Sequence, residues 1–134
     1  MADECIFCKI AAGDIPSYTL YEDDTIKAFL DVFPVTKGHT VVIPKKHIAD
    51  FGVLESDDAD FLKLLPQLIN GVKRMTGADG VNVWQNNGKA AGQEIPHLHF
   101  HIVPRFEGDG LFKFPPQGKL QEGDAQKLVS AFSV

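Results

Sequence analysis

Residues 97–105 read HLHFHIVPR, with His97, His99 and His101 separated by single apolar residues. Successive side chains of a β-strand point to opposite faces, so this alternation predicts a strand with the three imidazoles on one face and the apolar side chains on the other. Neighbouring imidazoles on such a strand lie about 6.6–6.8 Å apart, close enough for one group of phosphate size to touch two of them. The segment therefore predicts both a half-buried strand and a site that it carries.

The segments around this strand predict an α+β fold. Apolar residues recur at helical spacing over residues 57–75, which predicts the one long helix, and Pro66 inside it predicts either a kink or a later start. Short helices are predicted near the termini, at residues 5–12 and 125–132. With no regular βα repeat, the pattern predicts about five strands in an antiparallel sheet. The four further strands are predicted, from β-branched or alternating patterns, at residues 18–21, 25–30, 39–44 and 81–85.

Length and composition narrow the function classes. The chain has 134 residues, a formal net charge of −5, 44% hydrophobic and 23% charged residues, which predicts a single globular domain over residues 1–134. The excess of acidic residues creates no positive electrostatic potential that would attract DNA or RNA, so no polynucleotide partner is expected. Residues 1–10 lack the pattern of a secretory signal and no stretch is long enough to span a membrane, so we expect a cytoplasmic protein with no membrane partner.

Two chemistries use a row of imidazoles. In one, histidines hold a zinc ion that activates water. In the other, a neutral imidazole attacks phosphorus and forms a nucleotidyl-histidine, which water later hydrolyses. The preceding loop, residues 86–93 (NNGKAAGQ), offers amide donors and close backbone approach. These features favour an anionic phosphate over a cation.

At this point the sequence resembles a known family. HLHFHIV is similar to the His-x-His-x-His-x-x signature of the histidine-triad (HIT) family, and the resemblance extends to CIFCKI, AFLDVFPVTKGHTVVIPKKH and NNGKAAGQEIPHLHFHIVPR. The chain looks most like bacterial members of the phosphoramidase-like branch, which are small homodimeric nucleotide hydrolases. The resemblance implies a HIT-like fold, a purine nucleotide or nucleotide conjugate as substrate, and a homodimer.

The resemblance also implies roles for the histidines. His99 would be the nucleophile, with its other nitrogen donating to a backbone carbonyl. His101 and His39 would hold the phosphate oxygens and share protons, and His97 completes the catalytic row. No catalytic metal and no organic cofactor are expected.

The substrate contacts follow from the same resemblance. Asp31 matches the carboxylate that accepts from ribose hydroxyls, although a simple turn role is the alternative. Glu94 stands where many relatives have Ser or Thr, so the preference for a leaving group is open. The other expected contacts are apolar walls for the base and amides for the phosphate, from Phe29, Ile26, Val32, Asn86 and Gln93.

Cys5 and Cys8 form a C-x-x-C pair without the βαβ context of a redox motif. His47 and His97 would complete a Cys₂His₂ set, and some bacterial relatives bind zinc with residues matching these four. We therefore predict a structural zinc ion, with His97 serving primarily as a ligand. The alternative is a buried pair of reduced thiols.

The leading functional hypothesis is a nucleotide hydrolase or transferase that cleaves nucleoside 5′-phosphoramidates or related conjugates at the α-phosphorus. It would act through a covalent nucleotidyl-histidine and release the nucleoside monophosphate. Three alternatives stay open: a dinucleoside polyphosphate hydrolase, a zinc metallohydrolase, and a non-catalytic nucleotide-binding module.

Overall fold

The computed structural model describes residues 4–134, which form a five-stranded sheet and three α-helices joined by turns and short 3₁₀ helices. Residues 1–3, the first of the segment searched for a signal, lie outside the described residues. The elements are α1 (Ile6–Ala12), β1 (Thr19–Glu22), β2 (Ile26–Leu30), β3 (Thr40–Pro44), α2 (Leu65–Thr76), β4 (Gly80–Trp84), β5 (Phe100–Arg105) and α3 (Glu122–Ala131). The strand order is β1-β2-β3-β5-β4 and every neighbouring pair is antiparallel, which confirms the predicted α+β class.

The two faces of the sheet bury two separate apolar clusters. On one face, the side chains of β2, β3 and β5 pack under α2, and this cluster includes Ile26, Phe100 and Ile102. On the other face, Phe29 and Val41 pack with residues of α1. The period-two alternation of the strands produces this division. The second face carries the site described below.

Helix α1 is short and is stabilised at both ends. Cys5 is its N-cap, and its Sγ accepts a hydrogen bond from the Cys8 amide at 3.3 Å. Gly13 ends the helix in the left-handed conformation, with φ of 84°. The buried Lys27 ammonium donates to the Ile10 carbonyl in the last turn at 2.9 Å. These contacts fix a seven-residue helix that is too short to be stable alone.

Helix α2 begins later than the apolar spacing predicts. Two 3₁₀ helices, Ser56–Asp58 and Asp60–Leu64, come first, and the α-helix starts at Leu65 with Pro66 in its first turn. Proline has no amide hydrogen, which costs nothing at a helix start but removes a hydrogen bond from a helix interior. Of the two outcomes that Pro66 predicted, the later start is therefore the one observed.

Strand β5 is also shorter than predicted, because it begins at Phe100 and not at His97. Its partner β3 ends at Pro44, and the last ladder pair on this side joins Val42 with Phe100. The alternation nevertheless continues upstream, since Leu98 is fully buried in the α2 cluster while His97 and His99 contact Phe7 of α1. None of the helices in the described part of the chain is long and apolar enough to cross a membrane.

Candidate active site

A cavity of about 510 Å³ lies between α1, the end of β2 and the start of β5. Its walls include Phe7 and Ile10 of α1, Phe29 of β2, and the polar side chains of Asp31, His99 and His101. The alternation of β5 places the two histidines on the same side as α1, while Ile102 points into the opposite core. The cavity thus combines an apolar wall with an imidazole pair.

His99 is held in one orientation and one tautomer. Its Nδ1 lies 2.7 Å from the carbonyl oxygen of His97, and a carbonyl only accepts, so Nδ1 carries the proton and Nε2 keeps a lone pair. Nε2 has no hydrogen-bond partner within residues 4–134 and is not sealed from solvent, although the residue is only 8% exposed. Burial lowers the pKa of His99. The hydrogen bond to the His97 carbonyl and the charge of Asp31 act in the opposite direction, but the effect of burial is larger. His99 therefore presents the free lone pair of a neutral imidazole at the cavity wall.

His101 and His39 form a second hydrogen-bonded pair. His39 Nε2 and His101 Nδ1 are 2.9 Å apart, and the Val35 amide donates to His39 Nδ1 at 3.1 Å. Burial and the neighbouring imidazoles His99 and His39 lower the pKa of His101 to about 4. Burial likewise lowers the pKa of His39, with Asp31 opposing it. Both imidazoles are accordingly neutral near pH 7.

Asp31 has a turn role and also reaches the cavity. Its Oδ1 accepts from the Phe33 amide at 2.8 Å, and its Oδ2 lies 3.7 Å from His39 Nε2. The carboxylate lines the cavity and is partly exposed. The two interpretations of Asp31 from the sequence are compatible, because one oxygen serves the turn and the other faces the site.

The expected apolar wall for the base is only partly assembled. Phe29 and Val32 line the cavity, but Ile26 does not. Ile26 is fully buried in the α2 cluster, since it lies three residues before Phe29 and so points to the opposite face of β2. Including Ile26 in the base site was wrong. Residues 7 and 10 of α1, which the sequence did not single out, supply that part of the wall.

The loop between β4 and β5 differs from expectation in its amide side chains. Gln93 accepts from the Gly88 amide at 2.8 Å and donates to the carbonyls of Ala49 and Ile95, so its amide group is engaged with backbone and it does not line the cavity. Asn86 lies against Gly92, which does line the cavity. Glu94 is exposed at the cavity rim. Gln93 thus shapes the loop instead of contacting the site.

Four side chains that do not line the cavity form a cluster of sulfur and imidazole groups. Cys5 Sγ is 3.3 Å and Cys8 Sγ 3.5 Å from His97 Nδ1, and Cys8 Sγ is 3.2 Å from His47 Nδ1. His97 Nε2 lies 2.8 Å from the Pro44 carbonyl, so Nε2 carries the proton and Nδ1 directs its lone pair at the sulfurs. The four ligand atoms all lie within 4.8 Å of one another. The four residues predicted as zinc ligands are therefore brought together.

The geometry and chemistry of this cluster fit zinc. In a tetrahedral Zn²⁺ site, Zn–S bonds of about 2.3 Å and Zn–N bonds of about 2.0 Å place the sulfur and nitrogen ligands about 3.5 Å apart. The S–N distances in this cluster, 3.2–3.5 Å, are close to that value. Burial and the neighbouring Cys5 raise the pKa of the Cys8 thiol to about 11, so a cation is needed before Cys8 can be a thiolate near pH 7. His97 is fully buried and does not line the cavity. Its imidazole belongs to this cluster, and its carbonyl orients His99.

Comparison with known proteins places these features in a family. The HIT domain family model matches residues 12–108, a span that holds all five histidines and leaves out the two cysteines. An uncharacterised HIT-like protein of Methanocaldococcus jannaschii is 50% identical over 127 residues, which are 93% of this chain and 95% of that protein. A protein of Saccharomyces cerevisiae named adenosine 5′-monophosphoramidase is 42% identical over 125 residues, 92% of this chain and 75% of that protein.

Solved structures agree with the fold. A member of the HIT family from Bacillus subtilis superimposes with a TM-score of 0.88 at 39% identity, covering 96% of this chain and 94% of that one. A zinc-bound histidine triad family protein from Mycobacterium smegmatis superimposes with a TM-score of 0.75 at 37% identity, covering 98% of this chain and all of that one.

Proposed function

The chain belongs to the HIT family, and from this premise we propose that it is a nucleotide hydrolase or transferase. Its substrates are nucleoside 5′-phosphoramidates or related nucleotide conjugates, cleaved at the α-phosphorus with release of the nucleoside monophosphate. The observation that carries the proposal is the fixed tautomer of His99, whose free Nε2 faces a cavity of about 510 Å³. The name of the yeast relative supports the choice of substrate class.

The reaction takes place in two displacements. The His99 Nε2 lone pair attacks the α-phosphorus, the bond from phosphorus to the leaving nitrogen breaks, and that nitrogen takes a proton from water at the open rim near Glu94. Water then attacks the phosphorus of the nucleotidyl-histidine, the bond from phosphorus to Nε2 breaks, and the proton that this water loses neutralises the hydroxide formed in the first step, so neutral His99 and the monophosphate are released. Throughout, the His97 carbonyl accepts from Nδ1–H and stabilises the imidazolium that forms on attack.

The remaining polar groups serve the phosphate and the sugar. His101 lines the cavity beside His99, with the ring centroids 5.0 Å apart, and one of its nitrogens is free of protein partners in the described residues. A donor at this place stabilises the charge that spreads over the phosphate oxygens in the transition state. Asp31 Oδ2 accepts from ribose hydroxyls, and the apolar wall of Phe7, Ile10 and Phe29 contacts the base. Such a wall accepts different purines.

The zinc cluster has a structural role in this proposal. Zinc at Cys5, Cys8, His47 and His97 would be a closed four-ligand site without an open position for substrate. Its contribution is to hold α1 against the sheet and to fix the His97 carbonyl. The proposal therefore differs from a zinc metallohydrolase, in which the metal itself activates water.

The decisive experiment is intact-mass analysis of protein quenched during turnover of an adenylated amine. We expect a histidine-linked adenylyl adduct in the native protein and none in His99→Ala or His99→Gly. Both variants should keep the fold and nucleotide binding, and imidazole added to His99→Gly should restore part of the turnover by filling the vacated space.

A matched variant at the second histidine separates the roles. His101→Gln should still form the adduct, more slowly, because it removes a phosphate contact and not the nucleophile. Full turnover by His99→Ala would reject the proposal. Nucleotide binding without turnover of phosphoramidates, acyl-nucleotides or dinucleoside polyphosphates would identify the chain as a binding module instead.

A further inference from the structure

Three side chains beside the cavity have the composition of a metal site. One ligand atom from each of Asp31, His39 and His101 lies within 4.8 Å of the other two. His39 Nε2 is 2.9 Å from His101 Nδ1 and 3.7 Å from Asp31 Oδ2. Two imidazoles and one carboxylate on one side of a metal are a common set for divalent transition metals. Adjacent ligands of an octahedral ion lie about 3 Å apart at bond lengths of about 2.1 Å. Distances alone would therefore permit a second metal.

The backbone amide of Val35 changes this interpretation. It donates to His39 Nδ1 at 3.1 Å. A backbone N–H can only donate, so His39 Nδ1 holds a lone pair and the proton of the neutral imidazole is on Nε2. A protonated nitrogen cannot bind a metal, because ligands must be deprotonated. The nitrogen of His39 that faces the other two groups is thus closed to cations.

The same constraint passes to the next ring. His39 Nε2–H donates to His101 Nδ1, which leaves the proton of neutral His101 on its own Nε2. Within residues 4–134 no group accepts from that nitrogen and it is not sealed from solvent, and His101 lines the cavity. His101 therefore presents a hydrogen-bond donor, while its neighbour His99 presents a lone pair.

The loop that carries the amide is held firmly in place. Thr36 Oγ1 donates to the Pro104 carbonyl of β5 at 2.8 Å, and the His39 amide donates to the Thr36 carbonyl at 3.0 Å. The Asp31 amide donates to the His39 carbonyl at 2.9 Å. These bonds link both ends of the loop to the sheet, so the Val35 amide has a fixed position relative to the His39 ring.

We propose that the backbone amide of Val35 is a positioning group that sets the tautomers of His39 and His101. It keeps the cluster of Asp31, His39 and His101 closed to divalent metals, and it makes His101 a donor to the phosphate of the substrate. The second consequence rests on the proposed hydrolase function. The first stands without it.

The direct test is the nitrogen-15 spectrum of the imidazoles in the native protein at pH 7.5, which reports which ring nitrogen carries the proton. We expect the Nε2–H form for His39 and His101 and the Nδ1–H form for His99. An Nδ1–H form at His39 or His101 would overturn the proposal. The measurement needs no substrate, so it remains decisive if the chain turns out not to hydrolyse nucleotides.

A pair of variants tests the cause. Val35→Pro removes the amide hydrogen, while Val35→Ala keeps it and truncates a side chain that is 39% exposed. Each zinc-loaded variant is titrated with Co²⁺ and followed by visible absorption. We expect Val35→Pro to bind an additional cobalt ion at least tenfold more tightly than Val35→Ala, because His39 can then move its proton to Nδ1.

Equal cobalt affinity in the two variants, with Val35→Pro folded by circular dichroism, would overturn the assignment of this role to the amide. Should Val35→Pro fail to fold, the nitrogen-15 spectrum of the native protein still overturns the proposal if it shows an Nδ1–H form at His39 or His101.

Discussion

His99 and His101 are two residues apart on one segment, yet the structure assigns them opposite tautomers. His99 has its proton on Nδ1 because the His97 carbonyl accepts it, whereas His101 accepts at Nδ1 from His39. The sequence predicted that these rings share a face, since that depends only on alternation. It did not predict the tautomer of His101, because His39 lies in the loop before β3, far from His101 in the sequence, and is itself oriented by the Val35 amide of that loop.

The lowered pKa values of these buried histidines make stability depend on pH. The pKa of His101 falls from 6.5 to about 4. Between these values the unfolded chain binds a proton that the folded chain does not, so the free energy of unfolding decreases as pH falls from about 6.5 towards 4. A shift of this size contributes at most roughly 3 kcal/mol. We expect urea denaturation with a chelator present to show this decrease.

Comparison of the native protein with His101→Gln measures the contribution of His101 to this pH dependence. The free energy of unfolding of the variant should fall less steeply between pH 6.5 and 4, because one titrating group has been removed. Below pH 4 the two proteins should behave alike, since the hydrogen-bonded Asp23, whose pKa is lowered to about 2, titrates there in both. Identical slopes in the upper range would contradict the linkage.

At the scale of elements, the sequence predicted the type of each strand and helix better than its limits. The strand predicted at residues 97–105 loses its first three residues because its ladder with β3 stops at the pair Val42 and Phe100, and the Leu98 amide donates instead to the Ile48 carbonyl, beyond the end of β3. The family resemblance implies a phosphate contact for Gln93, but its side-chain amide donates to the carbonyls of Ala49 and Ile95. Both differences arise from tertiary hydrogen bonds, which a local pattern does not contain.

The contact between the loop before β3 and the end of α2 depends on one glycine. Gly38 has φ of +95°, and a Cβ there would lie 2.4 Å from Thr76 Cγ2. Gly77 also has positive φ, at +71°, but a Cβ there would meet nothing within 4 Å. We expect Gly77→Ala to cost about 1–2 kcal/mol through backbone strain alone, and Gly38→Ala to cost clearly more. Thermal denaturation of both variants measures the difference.

A second substitution identifies the cause of that difference. Thr76→Ser removes Cγ2 and keeps the hydroxyl that donates to the Val72 carbonyl. In the Gly38→Ala background it should recover the steric part of the loss and bring stability close to that of Gly77→Ala. Additive effects of the two changes would show that the contact is not the cause. Activity should fall together with stability in Gly38→Ala, because the next residue, His39, belongs to the proposed site.

At the scale of the whole molecule, the thiol and imidazole cluster joins segments that are distant in sequence. Cys5 and Cys8 belong to the start of α1, His47 follows β3 and His97 precedes β5. The sequence predicted these four ligands, partly through a family resemblance, although 92 residues separate Cys5 from His97. The homodimer stays a prediction.

A metal that joins three segments stabilises the folded chain, because the dispersed ligands of the unfolded chain bind it poorly. We expect zinc at one equivalent per chain in protein purified without chelator. Removing it should lower the thermal midpoint by at least about 5 °C. Well below that midpoint, phosphoramidate turnover should persist, with a raised KM, since α1 forms one wall of the cavity.

The double variant Cys5→Ser/Cys8→Ser should have the lower midpoint already and respond to chelator no further. Abolished turnover in a chelated protein that is still folded would instead favour catalytic zinc, and an unchanged midpoint after proven zinc loss would contradict the structural role.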